Sequence, residues 1–261
     1  MNKAMRREYL AALGLETWVV RAPAAPALAE SRVTPARSTT PVRAMPNFER
    51  DATAQRDAAP GREATTLPEA TGGREAAYDW VQLRERVAAC TRCGLSGTRT
   101  QTVFGVGNPT AEWLVVGEAP GAEEDRQGEP FVGRAGQLLN SMLRAIGLAR
   151  EQVYIANVLK CRPPHNRDPL ASETTECLPY LERQIALLKP KIMLVVGRIA
   201  AQNLLCTDVS LGRLRQQVHV FGASRVPLVV TYHPAYLLRT PMDKRKAWED
   251  LKFAREVSGR G

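Results

Sequence analysis

The amino-acid sequence predicts an α/β fold: a single three-layer α/β/α domain with a mainly parallel four-stranded sheet, preceded by a disordered N-terminal extension. Four short runs of Val, Leu and Ile, such as IMLVV and VPLVV, alternate with segments of helical periodicity. Strands separated by helices form parallel sheets. Because these strands are apolar throughout, rather than at every second position, helices are expected to cover both faces of the sheet.

The first 78 residues differ from the rest in composition. Residues 5–21 have apolar residues at helical spacing up to Gly14, followed by the aromatic Trp18, which predicts a short amphipathic docking peptide within residues 1–21. Residues 22–78 contain 15 Ala and 7 Pro and only isolated large apolar residues. Such a segment buries too little apolar surface to offset the entropy of ordering it, so this segment is predicted to be a disordered linker.

The pattern Leu-Gly-x-x-x-Trp within residues 8–21 resembles the N-terminal peptide of the clamp-loader psi subunit. This resemblance implies that residues 5–21 dock a replication or repair protein. The alternative interpretation of the same segment is a frayed tail.

The positive charge of the chain is concentrated in the predicted domain. The sequence has 36 Lys and Arg against 27 Asp and Glu, a net charge of +9. Residues 1–80 hold 11 basic and 10 acidic residues, so the remaining 181 residues carry a net charge of +8, which indicates a polyanionic partner. The sequence shows no apolar run of the roughly 18 residues that a membrane helix needs and no signal peptide. Its cysteines are not spaced like a secreted disulfide framework, so a cytoplasmic location is expected. The protein is also expected to be a monomer.

The domain is predicted to span residues 79–261. Its first helix has Trp80 and Val87 on one face, and Ser172 is expected to cap the third helix, which Pro179 kinks or divides. The predicted helices cover 79–89, 135–146, 172–188, 198–205 and 242–257, and the predicted strands cover 112–117, 153–158, 191–196 and 226–232.

Polar residues follow three of the four predicted strands. Ligands in open α/β sheets bind beyond the carboxyl ends of the strands. The first strand leads into Glu118 in a Gly/Pro turn, the second ends near Asn157, and the fourth leads to His233. An acid, an amide and an imidazole therefore meet at one edge of the predicted sheet, which favours an active site there. Taken singly, Asn157 is also compatible with a turn cap, and His233 with a buried core histidine.

Four of the five cysteines are candidates for a metal site. Cys90 and Cys93 form a CxxC pair, whereas Cys161 and Cys177 stand far from this pair in the sequence. The spacing leaves zinc, an iron–sulfur cluster and redox chemistry of the CxxC pair as alternatives. Cys206, near the end of an apolar helix, is predicted to be a buried core thiol.

Two further segments are candidates for contacts with a nucleic acid. Arg162 and Arg167 lie in a proline-rich loop between two of the cysteines, where arginine suits phosphate contacts. The alternative is a surface loop wrapped around the metal site. Leu237 and Arg239 follow His233 closely in an apparent loop. Apolar residues there are compatible either with insertion into a base stack or with burial in the core.

The segments GEAPGAEEDRQGEPFVGRAGQLL, NVLKCRPPHNRDP and HPAYLLR, together with the four cysteines, closely resemble the family 4, or iron–sulfur, uracil-DNA glycosylases. The resemblance covers residues 90–248, essentially the whole predicted domain. It implies that uracil is flipped out of DNA and its N-glycosidic bond hydrolysed, which leaves an abasic site. The KRRIH insertion of a related branch is absent, so His165 is interpreted as an ordinary loop residue.

The resemblance also implies a role for each candidate residue. His233 would donate a hydrogen bond to the leaving uracil, Glu118 would orient or deprotonate the attacking water, and Glu124 would support the site. Phe131 would stack on the extruded base, and Asn157 would pair with its Watson–Crick edge. The remaining implied assignments are substrate binding by Gly117 and Ala119, DNA binding by Arg162, Arg167, Leu237 and Arg239, and a [4Fe–4S] cluster held by Cys90, Cys93, Cys161 and Cys177.

Two other classes of function fit parts of the pattern. A nucleic-acid-binding module with a metal clip would explain the positive charge and the cysteines without any chemistry. A nucleotide-binding enzyme would use the GEAPG turn as a phosphate loop. The turn, however, lacks the Walker Lys-Ser/Thr, and its carboxylates would repel phosphate.

Overall fold

The structure is a computed structural model that describes residues 78–223 and 225–259. The docking peptide predicted within residues 1–21 and the linker predicted over residues 22–78 lie outside the described residues, apart from Tyr78. Among the described residues, no helix is both long enough and apolar enough to cross a membrane.

Strands and helices alternate along the described residues. The α-helices are α1 (Trp80–Ala88), α2 (Ala122–Gln127), α3 (Arg134–Ala145), α4 (Ala171–Leu188), α5 (Arg198–Leu205), α6 (Leu211–Leu214), α7 (Pro234–Arg239) and α8 (Lys244–Ser258). The strands are β1 (Val106–Gly107), β2 (Trp113–Gly117), β3 (Tyr154–Asn157), β4 (Ile192–Val196), β5 (His219–Phe221) and β6 (Val226–Thr231). Short 3₁₀ turns are formed by Gly94–Gly97, Arg150–Gln152, Pro164–Asn166 and Pro241–Asp243.

These strands form one sheet in the order β1-β3-β2-β4-β6-β5. The four central strands are parallel and are the four that the sequence predicts, which confirms the α/β class. The short strands β1 and β5 pair antiparallel at the two edges, so the sheet has six strands rather than four. The sequence gives no signal for these edge strands, because two or three residues are too few for a periodic apolar pattern.

Helices cover both faces of the sheet because its central strands are apolar on both faces. Successive side chains of a strand point to opposite faces. Val115 of β2 therefore joins the core that includes α3 and α8, whereas the next residue, Val116, joins the core that includes α4 and α5. Complete burial of a valine of this kind stabilises the fold by about 1.5–3 kcal/mol. The predicted three-layer arrangement is present.

The register of the parallel strands brings their carboxyl ends to one edge of the sheet. Gly117 at the end of β2 is paired with Asn157 at the end of β3. On the other side of β2, Val196 at the end of β4 is paired with Thr231 at the end of β6. The residues that follow these strands are therefore neighbours in space.

Helix α4 differs from the prediction at its start and at Pro179. Its N-cap is Leu170 rather than Ser172, and the Glu173 carboxylate accepts a hydrogen bond from the Leu170 N–H at 2.9 Å. Pro179 lies inside one continuous helix, so the predicted division does not occur. Pro179 is buried, and packing of its apolar ring offsets part of the cost of the backbone hydrogen bond that proline cannot donate.

Two assignments made from the sequence are wrong. Residues 237–239 are the end of helix α7 rather than a loop, and Leu237 is fully buried in the core against which α3 packs. Leu237 is therefore packed as a core residue in this structure, which does not support its assignment as a DNA contact, whereas the neighbouring Leu238 is 36% exposed. Cys206, expected in the core, is exposed just after α5.

The change Leu237→Ala is expected to lower the free energy of unfolding by about 2–5 kcal/mol, because it leaves a cavity between α7 and α3. The matched change Leu238→Ala, at a partly exposed position on the same helix, is expected to cost less than about 1 kcal/mol. Denaturant unfolding followed by circular dichroism measures both effects. Equal stabilities of the two variants would contradict the burial of Leu237.

Candidate active site and four-cysteine site

The ends of three parallel strands supply the polar residues of one cavity. Glu118 follows β2, Asn157 ends β3, and His233 comes shortly after β6. All three residues line a cavity of about 440 Å³. The convergence expected from the order of the strands is therefore present in the structure.

Residues from the flanking loops complete the wall of the cavity. Several were candidates from the sequence: Ala119, Glu124, Phe131, Arg167 and Arg239. Others were not singled out, although their signal was a position inside the RPPHNRDP and HPAYLLR segments: Pro163, Asn166, Asp168 and Tyr236. Arg162 and Leu237 are not part of the lining of this cavity.

The side chain of Asn157 has an unsatisfied hydrogen-bonding atom. The residue is 2% exposed, and its Oδ1 has no hydrogen-bond partner among the described residues. Gly117 lies beside it, and a Cβ atom at Gly117 would be 2.8 Å from Cζ of Phe131 and closer still to the Asn157 Oδ1. Leaving a buried acceptor unpaired costs free energy, so this oxygen is prepared for a donor that arrives with a ligand.

The loop that carries Phe131 is held in an unusual conformation. Phe131 has a φ of 54°, which is uncommon for a residue with a side chain. The Arg150 guanidinium donates hydrogen bonds to the carbonyl oxygens of Pro130 at 2.7 Å and of Phe131 at 3.3 Å, and to Asn140 Oδ1 at 3.1 Å. Gly136 lies against the same carbonyl of Phe131, where any Cβ atom would overlap it. Arg150, which the sequence analysis did not identify, therefore fixes this loop.

Glu124 holds the other side of the Phe131 loop. The acidic segment that includes Glu124, expected as a loop, forms the short helix α2. The Glu124 carboxylate accepts hydrogen bonds from the backbone N–H groups of Val132 at 3.1 Å and Gly133 at 3.4 Å. Glu124 therefore contributes to the site by ordering the loop that presents Phe131.

His233 is neutral in this environment. Burial and the nearby Arg239 lower the pKa of His233 to about 4, against the opposing effect of Glu124. The backbone N–H of Ala235 donates to Nδ1 of His233 at 3.1 Å. In a neutral imidazole with Nδ1 as acceptor, the proton lies on Nε2, which is then a hydrogen-bond donor. The imidazole also packs near Phe131, with ring centroids 5.6 Å apart.

The pKa of Glu118 is shifted in the opposite direction, upward. Burial and the negative charge of Asp168 raise the pKa of Glu118 to about 7, and Arg198 limits the increase. Arg198 and Asp168 form a long ion pair of 3.5 Å, and both side chains are largely exposed. A carboxyl group with a pKa near neutrality can gain or lose a proton at physiological pH, as general acid–base catalysis requires.

The three predicted DNA-binding arginines differ in their hydrogen-bond partners and in their position relative to the cavity. Arg239 is exposed and lines the cavity. Arg167 also lines it, but its guanidinium is paired with Glu173 through two hydrogen bonds of 2.9 and 2.6 Å. The Nε of Arg162 donates to Asn166 Oδ1 at 2.8 Å.

The four candidate cysteines line a second, small cavity. Arg99 donates a hydrogen bond to Sγ of Cys161 at 3.0 Å, and the backbone N–H of Lys160 donates to Sγ of Cys177 at 3.2 Å. Burial raises the pKa of Cys177 to about 12. Among the described residues, no group of three or more His, Cys, Asp and Glu side chains is arranged to hold a metal ion. The cavity wall includes Cys90, Cys93, Cys161, Cys177, Arg92, Arg99, Lys160 and Tyr180.

Lys160 connects the two sites. The residue is 1% exposed, and its ammonium donates to the carbonyl oxygen of Asn157 at 2.8 Å and to Gln184 Oε1 at 2.6 Å. Burial lowers the pKa of Lys160 to about 8, while the thiols of Cys177 and Cys161 raise it. A single lysine in an apolar motif gives no sequence signal for such burial, so this residue was not anticipated.

Comparison with known families agrees with this arrangement. The profile of the Uracil DNA glycosylase superfamily matches residues 104–252, which is more than half of the chain. The matched region contains the whole sheet together with Glu118, Asn157 and His233. The chain therefore belongs to the uracil-DNA glycosylase superfamily.

Individual relatives are type-4 uracil-DNA glycosylases, as the motifs imply. The protein of that name from Archaeoglobus fulgidus is 44% identical over 180 residues, which cover 67% of this chain and 90% of the relative. That from Sulfurisphaera tokodaii is 43% identical over 184 residues, covering 68% and 84%. That from Thermotoga maritima is 42% identical over 175 residues, covering 66% and 90%.

The change Glu118→Gln is expected to stabilise the protein above pH 7 but not near pH 4.5. The unfolded carboxyl ionises near pH 4.5, whereas the folded one stays protonated up to about pH 7. Stability therefore falls as the pH rises through this window, and glutamine escapes the loss. After allowance for partial exposure of the carboxyl group to water, the expected gain at pH 8 is about 1–2 kcal/mol.

Thermal unfolding of both proteins between pH 5 and pH 8 measures this difference. The conservative change Glu85→Gln, at an exposed glutamate on α1 outside the cavity, is the matched control for loss of a glutamate carboxylate. A melting-temperature difference between Glu118→Gln and the unaltered protein that stays constant over this range would refute the raised pKa of Glu118.

Proposed function

We propose that this protein is a DNA repair glycosylase that flips uracil out of DNA and hydrolyses its N-glycosidic bond, as the first step of base excision repair. The observation that carries the proposal is the convergence of Glu118, Asn157 and His233 in one cavity. Membership of the superfamily and the type-4 relatives support the same conclusion.

Recognition of uracil begins at Asn157. The N3–H group of uracil is the donor that the unpaired Oδ1 of Asn157 lacks, whereas cytosine presents an unprotonated nitrogen at the same position. Phe131 supplies the face on which the base stacks. Gly117 allows Asn157 and Phe131 to pack this closely, because a Cβ atom at that position would collide with both side chains. The site therefore favours uracil over cytosine by the donor and acceptor pattern of one amide.

His233 stabilises the leaving group. When the bond between N1 of uracil and C1′ of the sugar breaks, both bonding electrons leave with uracil, and negative charge spreads from N1 to O2. A neutral His233 with its proton on Nε2 donates a hydrogen bond to this oxygen without giving up the proton. Donors fixed in place before the charge develops commonly accelerate such reactions by about 10²–10³-fold.

Glu118 acts on the sugar side of the bond. Departure of uracil leaves an oxocarbenium-like sugar, which the ionised Glu118 carboxylate stabilises. Water then forms a bond from its oxygen to C1′, and its proton passes to Glu118. Because the pKa of Glu118 is about 7, about half of the unbound protein holds the ionised base at neutral pH. Protonation of the uracil anion by solvent completes the balance.

The positive charge of the domain serves the binding of the DNA backbone. The 181 residues after position 80 carry the net charge of +8, while the cavity itself contains carboxylates. Arg239 at the cavity and Arg162 in the proline-rich loop would contact the phosphates. Arg167 contributes by holding Glu173 and its own loop in place.

The four-cysteine site fits a [4Fe–4S] cluster. Four thiols line one cavity, so the CxxC pair does not stand alone as a redox motif. Ligation by four cysteine thiolates is the donor set that [4Fe–4S] clusters use. Hydrogen bonds from Arg99 and the Lys160 N–H, with the charge of buried Lys160, offset the negative charge of a thiolate-bound cluster. Cys90, Cys93, Cys161 and Cys177 would hold the cluster, whose role there is structural.

The purified protein is expected to release uracil from an oligonucleotide that contains one deoxyuridine. Strand cleavage by alkali at the resulting abasic site measures the reaction. Glu118→Gln and His233→Ala are each expected to lower the rate by about 10²–10⁴-fold, because each removes one charge-stabilising or proton-accepting group. Val81→Ala, at an exposed position on α1, is the control and is expected to leave the rate unchanged.

Binding of the oligonucleotide without release of uracil would contradict the glycosylase proposal. That outcome, together with equal binding by the Glu118→Gln and His233→Ala variants, would instead favour a nucleic-acid-binding module without chemistry.

Protein purified without oxygen is expected to be brown and to absorb near ~400 nm, as thiolate-bound iron–sulfur clusters do. Cys177→Ser is expected to lose this absorbance. Cys206→Ser, at the exposed cysteine outside the cavity, is the matched control and is expected to keep it. A colourless protein with one bound zinc would refute the cluster.

A further inference from the structure

Asp250 of α8 is a fully buried carboxylate that lies outside the cavity. Its Oδ2 accepts hydrogen bonds from Thr231 Oγ1 at 2.8 Å and from Arg215 Nε at 2.7 Å, and its Oδ1 accepts one from Gln216 Nε2 at 2.7 Å. A buried ion pair is weak evidence for stability, because apolar residues of similar volume often stabilise a fold equally well. The role of Asp250 therefore depends on which segments its three hydrogen bonds join.

The first of these segments is the end of β6. Thr231 is the last residue of that strand, two positions before His233, and it is fully buried. Its hydroxyl donates to Asp250, and its carbonyl accepts from the N–H of Gly197 at 2.9 Å. His233 itself packs on this glycine, where a Cβ atom would lie 3.1 Å from the Cβ of His233. The strand end that leads to His233 is thus held both through a side chain and through the backbone.

The second segment carries Arg215, between α6 and β5. The guanidinium of Arg215 lies 4.8 Å from the centre of the Tyr232 ring, and Tyr232 directly precedes the site histidine. Tyr232 also stacks on Tyr236, which lines the cavity, with ring centroids 5.3 Å apart. Arg215 donates a further hydrogen bond to the carbonyl of Lys246 at 2.7 Å, and its side chain is only 10% exposed. Asp250 therefore orients the arginine against which Tyr232 is placed.

His233 needs this support because its proposed hydrogen bond is sensitive to position. The N–H of Ala235 holds Nδ1 at 3.1 Å and so selects the rotation of the imidazole ring. That contact does not fix the backbone of His233, which the two preceding residues determine. A donor stabilises a developing anion only when it lies within hydrogen-bond distance of the charged oxygen. Displacement of a reacting group by about 1 Å can lower a rate by about 10²-fold.

We propose that Asp250 is a positioning residue for His233: through Thr231 and Arg215 it fixes the end of β6, so that Nε2 of His233 meets the oxygen of the departing uracil. Asp250 does not touch the substrate and acts only through the two residues that precede the histidine. This inference rests on the proposed uracil excision and adds to it the group that holds the leaving-group donor in place.

The test removes the hydroxyl of Thr231 and keeps the shape of the side chain. Thr231→Val is expected to lower the single-turnover rate of uracil release at saturating oligonucleotide by about 10-fold, because the donor of His233 is displaced. The oligonucleotide concentration at half saturation is expected to change by less than about twofold. Thr231→Ser, which retains the hydroxyl, is expected to restore the rate to within about twofold of the unaltered protein. The control Thr110→Val removes an exposed hydroxyl hydrogen bond outside the cavity and is expected to leave the rate unchanged.

The same change in a His233→Ala protein distinguishes positioning of the histidine from a general structural role. Without the imidazole, Thr231→Val is expected to change the remaining rate by less than about twofold, because two residues that act as a unit are not additive. A general loss of structure would instead lower the rate by the same factor in both proteins.

Arg215→Lys reaches the same carboxylate from the other side and leaves the interior of the sheet unaltered. Lysine keeps the positive charge beside Asp250 but loses the planar group that lies against Tyr232. The rate is expected to fall by about 3–10-fold, and this loss is also expected to disappear in the His233→Ala protein. Thermal unfolding followed by circular dichroism checks that each variant is folded at the assay temperature.

The outcomes separate the two proposals. Failure of the unaltered protein to release uracil would overturn the proposed function and this inference with it. Normal release by the unaltered protein, with Thr231→Val and Arg215→Lys at full rate, would overturn the positioning role alone. Equal losses with and without His233 would do the same.

Discussion

The contact of Phe131 and Asn157 with Gly117 is the constraint on which the uracil site depends. The parallel register pairs Gly117 with Asn157, and the Phe131 ring closes against the same glycine, so no side chain fits there. The loop reaches this position only with a left-handed backbone at Phe131. Arg150 and Glu124 hold that conformation from the two sides of the loop. The proposed uracil pocket therefore contains a strained backbone at Phe131 and an unpaired amide oxygen at Asn157.

Burial sets the protonation of both reacting groups in the direction that catalysis needs. The same low-dielectric cavity lowers the pKa of His233 and raises that of Glu118. His233 is therefore a neutral donor, and Glu118 is close to the point at which it can accept a proton. In the proposed reaction, a cationic sugar would form beside Glu118 and an anionic base beside His233. Burying Glu118 and His233 in the empty cavity costs free energy of folding. Part of this free energy would be recovered when the two side chains interact with the charges of the transition state.

Periodicity and chain order explain how much of the fold and site the sequence predicts. The four central strands are continuous apolar runs, and the polar residues at their ends, such as Glu118 and His233, meet because parallel strands end at one edge. Short elements carry no such signal, so β1, β5 and α7 were missed, and Leu237 was placed in a loop. Ion pairs between distant segments, such as Arg167 with Glu173, depend on tertiary structure and leave no local pattern in the sequence.

Lys160 contacts both the cavity residue Asn157 and the four-cysteine site. Its ammonium fixes the carbonyl of Asn157, while its backbone N–H binds the sulfur of Cys177. A buried cation is costly unless negative charge lies close by, and the proposed cluster, held by four cysteine thiolates, would supply that charge. Only three residues separate Asn157 from Cys161, so the proposed cluster would hold the end of β3 in place. One side chain and one strand end therefore connect the four cysteines to the amide of Asn157, for which we propose the recognition of uracil.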